Sequence, residues 1–306
     1  MKPTLADAMR SGPVLLDGGL ATRLEAMGHD LTDELWSARL LADDPAAIVA
    51  AHRDFLAAGA RVVTTASYQA TVAAFERRGH DVTEAVRLIS SSVELARTAC
   101  GSRDGAPEDR PLWTAASVGP YGAALADGSE YRGDYGLPHT ALVRFHRPRL
   151  ELLAAAGPDI LALETVPDIR EAEALLDALD GLGVSAWLSY TVDGDRTRAG
   201  QPLEEAFAVT AGRADIVAVG VNCCSPADAT AAVPLAAGAS GKPVVVYPNS
   251  GEEWSARTRR WSWPPGVRAT DLASHAGRWL DDGARLIGGC CRVGPATIGR
   301  MAEALC

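Results

Sequence analysis

The sequence predicts a (β/α)8 barrel, and three observations lead to that prediction. Short apolar runs rich in β-branched residues alternate with longer Ala/Leu-rich stretches, and eight such runs occur in the 306 residues. The runs are apolar almost throughout, which is typical of parallel strands covered by helices. Eight strand–helix units fit a closed barrel. A doubly wound open sheet is the alternative, because it shows the same alternation.

The eight predicted strands are spread along the whole chain. In chain order they are VLLDGG near Val14, RVVTTASY from Arg61, LWTAASVGP from Leu112, DILALETVP from Asp159, SAWLSYTVDG from Ser185, DIVAVGVNCC from Asp215, PVVVYPNSG from Pro243 and RLIGGCC from Arg285. Predicted helices between them include DPAAIVAAHRDFLAAG, EAVRLISSSVELARTAC and DIREAEALLDALDGLG. Several of the helices end with Gly just before the next strand, which is a common stop signal.

Two further expectations concern the organisation of the chain. The helix after the first strand is expected to begin near DELWSARLL, after a loop of unusual length. The sequence shows no linker, no low-complexity tract and no clear internal repeat. Residues 1–306 are therefore predicted to form a single domain.

Composition narrows the classes of partner and the cellular compartment. The net charge of -10 argues against nucleic acid and against an anionic membrane surface. No apolar stretch is long enough to cross a bilayer, and MKPTLADAMRSGP has no signal-peptide pattern. We therefore expect a cytoplasmic protein, and a monomer. In the cytosol thiols stay reduced, so paired cysteines favour a metal or catalytic role over disulfides.

Polar side chains occur where the predicted strands end. In a (β/α)8 barrel the carboxyl ends of all the strands meet at one mouth, where active sites lie. The residues expected there are Asp17, Thr65, Ser67, Glu164, Asn222, Cys223, Tyr247, Asn249, Cys290 and Cys291.

Three of these residues predict a zinc site. Cys223, Cys290 and Cys291 supply three thiolates, and a catalytic zinc ion keeps its fourth position open for water or substrate. Cys224 follows Cys223 into a loop, and it is either a neighbour of the site or incidental. Adjacent cysteines can also be small core residues, since free cysteine is often buried. The remaining thiols, Cys100 and Cys306, and the six histidines have no position that suggests a ligand.

An all-thiolate site favours one kind of chemistry. Three thiolates on a divalent ion leave a net charge of about -1, so a bound water molecule is only weakly polarised. A bound substrate thiol, by contrast, loses its proton at neutral pH and remains nucleophilic. The sequence therefore predicts alkylation of a thiol.

Seven segments, taken together, resemble the homocysteine S-methyltransferase family from about Leu15 to Gly294. They are LLDGGLATRLE, TTASYQAT, GPYGAALADGSEYRGDY, LALETVPD, GVNCCSP, VVYPNSGEEW and LIGGCCRVGP. The resemblance implies a (β/α)8 barrel, one Zn2+ per chain, and methyl transfer to homocysteine to give methionine.

The resemblance also implies roles for individual residues. Cys223, Cys290 and Cys291 match the zinc ligands, although the family often has another residue at the position of Cys224. Asp17, which precedes Gly18 and Gly19, and Glu164 match positions that hold homocysteine, with the glutamate facing its ammonium group. A carboxylate is a suitable partner for that ammonium. Asp17 could instead be a turn former before the two glycines. Three further residues match the substrate-binding set: Thr65, Ser67 and Asn222.

The choice of methyl donor follows from the resemblance. GSEYRGDY and YPNSGEEW are closer to the group that uses a sulfonium, S-methylmethionine or S-adenosylmethionine, than to the betaine-dependent group. A cationic donor also suits aromatic faces, and the mouth loops carry Tyr121, Tyr131, Tyr135, Tyr247 and Trp254. Alternatives from other classes are a zinc hydrolase and a structural zinc protein in which Cys224 completes the shell. Selenohomocysteine is an expected second acceptor.

Overall fold

Eight parallel strands form one sheet. The computed structural model describes residues 2–33, 35–102, 110–255, 260–262 and 271–305. The strands are β1 Val14–Leu15, β2 Val62–Thr64, β3 Trp113–Val118, β4 Ile160–Val166, β5 Ala186–Tyr190, β6 Ile216–Asn222, β7 Val244–Tyr247 and β8 Ala284–Ile287. Their spatial order in the sheet is β1-β8-β7-β6-β5-β4-β3-β2.

The sheet closes on itself between its first and second strands. Leu16 forms a parallel bridge to Val62. The Asp17 N–H donates to the Val62 carbonyl oxygen at 3.0 Å, and the Arg61 N–H donates to the Leu15 carbonyl oxygen at 2.8 Å. Since the strand order follows the chain order around the ring, the prediction of a (β/α)8 barrel is confirmed.

Alternate side chains of the strands fill the barrel interior. Trp113 and Trp187 are fully buried there, and alanines of neighbouring strands leave room for them. The N-terminal helix covers the amino end of the strands, because Leu5 and Met9 pack into the same cluster. The Trp113 indole N–H donates to the Pro3 carbonyl oxygen at 3.1 Å, which fixes this cover.

Helices surround the sheet, and several of them begin at a side chain that caps the first turn. They are α1 Leu5–Ser11, α2 Leu20–Ala26, α3 Leu40–Asp43, α4 Pro45–Ala57, α5 Val72–Arg77, α6 Val82–Ser102, α7 Tyr121–Leu125, α8 His139–Ala155, α9 Ile169–Leu179, α10 Leu203–Ala208, α11 Pro226–Ser240, α12 Ala273–Asp281 and α13 Pro295–Ala304, with 3-10 turns at Trp36–Arg39 and Ser129–Tyr131. At α4, for example, the Asp44 carboxylate accepts from the Ala47 N–H at 3.1 Å and Pro45 occupies the first turn.

The expectation of a long loop after β1 is wrong. Helix α2 begins directly after Gly19, and it buries Ala21 and Leu24 against the core. It has only 7 residues, so its apolar pattern is too short to stand out in the sequence. The region near DELWSARLL forms the 3-10 turn Trp36–Arg39 and the short helix α3 instead of one continuous helix.

Two antiparallel hairpins lie outside the barrel sheet. One pairs Val192–Asp193 with Arg196–Thr197, so the predicted strand from Ser185 is divided between β5 and this hairpin. The other pairs Glu253–Ser255 with Arg260–Ser262. Among the described residues, no helix has the length and apolar character that crossing a membrane requires.

Candidate active site

Three thiols meet at the carboxyl end of the barrel. The Sγ atoms of Cys223, Cys290 and Cys291 all lie within 4.8 Å of one another. Cys223 is 3.7 Å from Cys291, and Cys290 is 4.0 Å from Cys291. A tetrahedral ion with zinc–sulfur bonds of about 2.3 Å needs sulfur–sulfur separations of about 3.8 Å. The donor type and the spacing therefore fit a zinc ion with its fourth position open.

Backbone conformation separates the first thiol from its neighbour. Cys223 directly follows β6 and has φ 53, in the left-handed region. The Asn222 side chain braces this point, because its Oδ1 accepts from the Thr165 N–H at 2.8 Å and its amide donates to the Thr165 hydroxyl at 2.8 Å. Cys224 is buried in the apolar layer outside the sheet, and it does not belong to the thiol cluster.

The second pair of cysteines lies beyond the end of a strand. Strand β8 ends at Ile287, so Cys290 and Cys291 are in the loop before α13 and do not alternate between opposite faces. The loop after β1 packs against them. A Cβ atom at Gly19 would lie 2.6 Å from the Cys290 carbonyl oxygen, so a side chain would push the two loops apart.

Two buried carboxyl groups lie near the cluster. Glu164 accepts hydrogen bonds from the Ser117 hydroxyl and, at 2.9 Å, from the Tyr247 hydroxyl. Burial raises the pKa of Glu164 to about 7, and the nearby Cys223 thiolate adds to this rise. Asp17 accepts from the Thr64 N–H at 2.7 Å and from the Thr64 hydroxyl at 3.0 Å. Burial, assisted by the charge of Glu164, raises its pKa to about 8. Both groups are costly to ionise until a cation arrives.

Thr65 and Ser67 form a hydrogen-bonded chain below Glu164. The Ser67 hydroxyl donates to the Ser117 carbonyl oxygen at 2.7 Å. It therefore accepts a hydrogen bond from the Thr65 hydroxyl, which is 2.7 Å away. Thr65 in turn accepts from the Ser117 N–H at 3.0 Å. These two hydroxyls therefore position Ser117, which donates to Glu164.

Only part of the aromatic set predicted for the mouth lies at the cluster. The Tyr131 hydroxyl is 3.1 Å from the Cys223 Sγ atom. Tyr247 lies beside Glu164, and Trp187 and Ser189 hold its hydroxyl at 3.0 and 2.7 Å. Tyr121 and Tyr135 pack instead against each other, with ring centroids 5.2 Å apart. The side chain of Trp254 lies outside the described residues, as does Cys306.

The three thiols of the cluster differ in pKa. Hydrogen bonds from Cys290 and Cys291 hold the pKa of Cys223 well below its usual range. The same contacts raise the pKa values of Cys290 and Cys291. A divalent cation displaces such protons when thiolates bind it.

Comparisons with known proteins agree with this geometry. The sequence profile of the homocysteine S-methyltransferase family matches residues 14–305. The chain is 46% identical over 294 residues to the homocysteine S-methyltransferase of Escherichia coli, which covers 94% of each protein. The chain belongs to the homocysteine S-methyltransferase family. It is therefore a methyltransferase whose acceptor is homocysteine.

Other members of the homocysteine S-methyltransferase family extend the comparison. A crystal structure of the Escherichia coli homocysteine methyltransferase MmuM, in its metallated form, has a TM-score of 0.85 and 44% identity, and the match covers 95% of this chain and 96% of that one. A selenocysteine Se-methyltransferase of Brassica oleracea var. italica is 42% identical, with 94% of this chain and 87% of that protein covered.

Sequence reasoning missed several residues of this homocysteine methyltransferase site. Ser117 and Thr165 each contact a predicted site residue, yet both lie within predicted strands. Trp36 and Tyr68 form an edge-to-face pair with ring centroids 6.3 Å apart. Burial raises the pKa of Tyr68, and the nearby charges of Glu130 and Cys223 add to this rise, so this ring lies near the cluster. A polar residue near the end of an apolar strand was the available signal for Ser117.

Proposed function

We propose that the protein transfers a methyl group from a sulfonium donor, S-methylmethionine or S-adenosylmethionine, to homocysteine in a zinc-dependent reaction that gives methionine. The observation that carries the proposal is the three-thiol cluster, with Sγ separations of 3.7 and 4.0 Å where a shared tetrahedral ion would require similar values. The metallated form of the Escherichia coli relative supports a bound metal in this protein.

The carboxyl groups account for recognition of the amino-acid part of the acceptor. In this proposal Glu164 faces the homocysteine ammonium, and Asp17 adds negative charge beside it. Ser117 and Tyr247 already donate to both Glu164 oxygens, so the carboxylate is fixed before substrate arrives. The remaining proposed contacts line the same end of the barrel: Gly18, Gly19, Thr65, Ser67 and Asn222.

The chemistry divides between the metal and the chain. Held by Cys223, Cys290 and Cys291, zinc would lower the pKa of the homocysteine thiol, which is about 8.5 when free, so that its proton is released to water at neutral pH. The chain holds the ammonium at Glu164 and thereby aligns the sulfur with the donor methyl group. A lone pair of the homocysteine sulfur forms the new bond to the donor methyl carbon. The bond between that carbon and the donor sulfur breaks, and its electrons stay on the donor, which leaves as a neutral thioether. The residues therefore act by orientation, and no side chain has to act as a base.

A cationic donor suits the aromatic side of the mouth. Tyr131 lies against Cys223, and Tyr68 with Trp36 lies nearby. Aromatic faces attract a sulfonium through the ring quadrupole. Betaine is also a cation, so it remains the alternative donor. The selenocysteine Se-methyltransferase relative supports an acceptor range that includes selenohomocysteine. The position of Cys224, buried in the apolar layer, counts against a four-thiolate structural zinc site.

The test is methionine formation from homocysteine with S-methylmethionine, S-adenosylmethionine and betaine offered separately to zinc-loaded protein. We expect product with a sulfonium and a loss of both zinc and activity in Cys290→Ala. Cys100→Ala is the matched control, because Cys100 is a half-buried thiol of helix α6, outside the cluster. Methionine formed with betaine alone would overturn the proposal of a sulfonium donor. Full activity in Cys290→Ala would overturn the proposed metal site.

A further inference from the structure

We propose that Arg149 is a positioning residue for the methyl donor: its buried guanidinium joins the loops after β2 and β3 and thereby fixes the ring of Tyr68 at the mouth of the barrel. The inference rests on the proposed use of a cationic donor. Within the described residues, the hydrogen bonds of Arg149 go to two backbone carbonyl groups and one imidazole. Arg149 therefore acts on the reaction through other groups.

The loops after β2 and β3 meet at Tyr68 and Gly119. The Gly119 N–H donates to the Tyr68 carbonyl oxygen at 3.2 Å. A Cβ atom at Gly119 would lie 2.8 Å from two carbon atoms of the Tyr68 ring, so the ring packs directly on the glycine backbone. Tyr68 also directly follows Ser67, which donates to the Ser117 carbonyl oxygen beside Glu164. The position of the ring at this end of the barrel thus depends on how the two loops are held.

The Arg149 guanidinium holds both loops at once. Its Nη1 donates to the Tyr68 carbonyl oxygen at 3.3 Å, and its Nη2 donates to the Gly119 carbonyl oxygen. Arg149 is 6% exposed, so little water competes for these contacts. The N–H donors of a guanidinium form a planar, rigid fork, which keeps the two carbonyl groups at a fixed separation. A lysine ammonium is a single point of charge and does not reproduce this geometry.

His146 and Glu171 hold the guanidinium in place. His146 lies on the same face of α8 as Arg149, and its Nδ1 is 3.3 Å from the Arg149 Nη2. Arginine only donates, so Nδ1 accepts and the Nε2–H donates to the Glu171 Oε1 at 2.9 Å. The same oxygen accepts from the Tyr121 N–H at 2.5 Å, at the start of α7. Helices α8 and α9 are thereby tied to the loop after β3.

The charges of this network suit a role in orientation. Burial lowers the pKa of Arg149 to about 10, although the charge of Glu171 opposes the fall, so the cation persists at neutral pH. Burial also lowers the pKa of His146, which keeps the imidazole neutral. A buried ion pair of this kind adds little stability compared with apolar side chains of similar volume. Its fixed hydrogen-bond directions are what apolar side chains lack.

The Tyr68 ring belongs to the aromatic group proposed for the cationic donor. A cation is attracted when it lies over the face of a ring, within about 6 Å of its centre. The sulfonium loses its charge as the methyl group leaves, so the ring stabilises the bound donor at least as strongly as the transition state. A displaced ring should therefore raise KM for the donor with little change in kcat. The contacts of homocysteine at Glu164 remain.

Two substitutions displace the ring without removing it. Arg149→Lys keeps a positive charge near Glu171 but loses the fork that spans the two carbonyl groups. Gly119→Ala keeps Arg149 and places a Cβ atom 2.6 Å from the Tyr68 carbonyl oxygen. We expect each variant to raise KM for S-methylmethionine by about 5- to 30-fold, the range that loss of a cation–aromatic contact gives. We expect KM for homocysteine to stay at its wild-type value and kcat to change by less than about threefold.

Arg147→Lys is the matched control. Arg147 lies on the same helix and also donates to two carbonyl oxygens, those of Ala178 and Asp180 at 3.2 and 2.6 Å. These carbonyl groups are at the C-terminal end of α9, at the opposite end of the barrel from the mouth. Initial rates are measured with each substrate varied while the other is saturating, and melting temperatures are measured in parallel. Arg147→Lys should keep both KM values, whatever its melting temperature.

The pattern of the two KM values decides the inference. Equal increases in both KM values, or a fall in kcat alone, would reduce Arg149 to general stability and overturn the proposal. A donor KM that rises in Arg149→Lys but not in Gly119→Ala would place the effect away from Tyr68 and also overturn it. Gly119→Ala decides the role of the loop contact if Arg149→Lys does not fold.

The same measurements keep the inference separate from the proposed function. Wild-type donor KM values in both variants would overturn the inference, while the proposed function would stand. A wild type that uses betaine alone would overturn the sulfonium donor, and the KM for betaine in the two variants would then decide the inference. A wild type that uses none of the donors would overturn both.

Discussion

Replacement of Glu164 by Gln tests the proposed recognition of the acceptor most directly. The substitution keeps the size and one carbonyl oxygen of the side chain but removes its charge. Glu164 is 7% exposed, so solvent screens its charge only weakly. The homocysteine ammonium would therefore face a neutral amide in a buried site.

The pKa of Glu164 sets the expected size of the effect. Burial raises it from 4.5 to about 7, so the ionised form of this group costs about 3 kcal/mol more in the protein than in water. An ammonium group that binds beside it offsets that cost. Removal of one partner of a buried, hydrogen-bonded charge pair costs about 2–5 kcal/mol. A loss of about 3 kcal/mol corresponds to an increase in KM for homocysteine on the order of 100-fold.

The assay is the initial rate of methionine formation against homocysteine at a saturating donor concentration. We expect a raised KM and a kcat that changes by less than about tenfold, since the metal and the donor contacts remain. The control substrate is 4-mercaptobutyrate, which has the thiol and the carboxylate but no ammonium. Glu164→Gln should use it as well as the wild type does. An unchanged KM for homocysteine, or an equal loss with both thiols, would refute the assigned role.

Three further predictions concern stability and the metal. Glu164 and Asp17 have folded-state pKa values of about 7 and about 8, above their ordinary values of 4.5 and 3.8. The folded protein therefore binds their protons more tightly than the unfolded chain does. The resulting stabilisation is complete below the ordinary values and is lost as the pH rises through about 7 and 8. Thermal melts of substrate-free protein from pH 5 to 9 should show this decline, and a flat profile would contradict it. Gly220→Ala would place a Cβ atom 1.9 Å from the Val245 carbonyl oxygen, so we expect a loss of about 2 kcal/mol or more in urea unfolding. Gly238→Ala, in helix α11 with open space around it, should instead gain about 0.5–1 kcal/mol. Cys224→Ala should keep one zinc per chain by elemental analysis, and loss of the metal would make Cys224 a ligand.

The barrel could be predicted because its signals are local and repeated. Strands β3, β4 and β5 are buried along their whole length, and such strands appear in a sequence as continuous apolar runs. Helix α2 and the N-terminal helix α1 were not predicted. Each has only 7 residues and is stabilised by packing against the barrel, which a short sequence window does not contain.

Within the candidate site, the sequence identified residues better than it identified contacts. The strand-end rule pointed to Glu164, but its partners Ser117 and Tyr247 are 47 and 83 residues away along the chain. The aromatic residues show the limit most clearly. Five were expected at the mouth from their loops, whereas Trp36 and Tyr68 were not, because loop position alone does not determine where a ring points.

The sequence by itself determined the strand–helix order and the chemical types of the site residues, since both follow from local pattern and from residue identity. The sequence pointed to Cys223, Cys290 and Cys291, but only the tertiary structure shows why these three thiols meet and Cys224 does not join them. Cys223 and Cys224 are adjacent and chemically identical, yet one sulfur lies in the cluster and the other in the core. The left-handed backbone at Cys223 and the hydrogen bonds between Asn222 and Thr165 determine these directions. That selection depends on contacts between distant strands, which form only when the barrel closes.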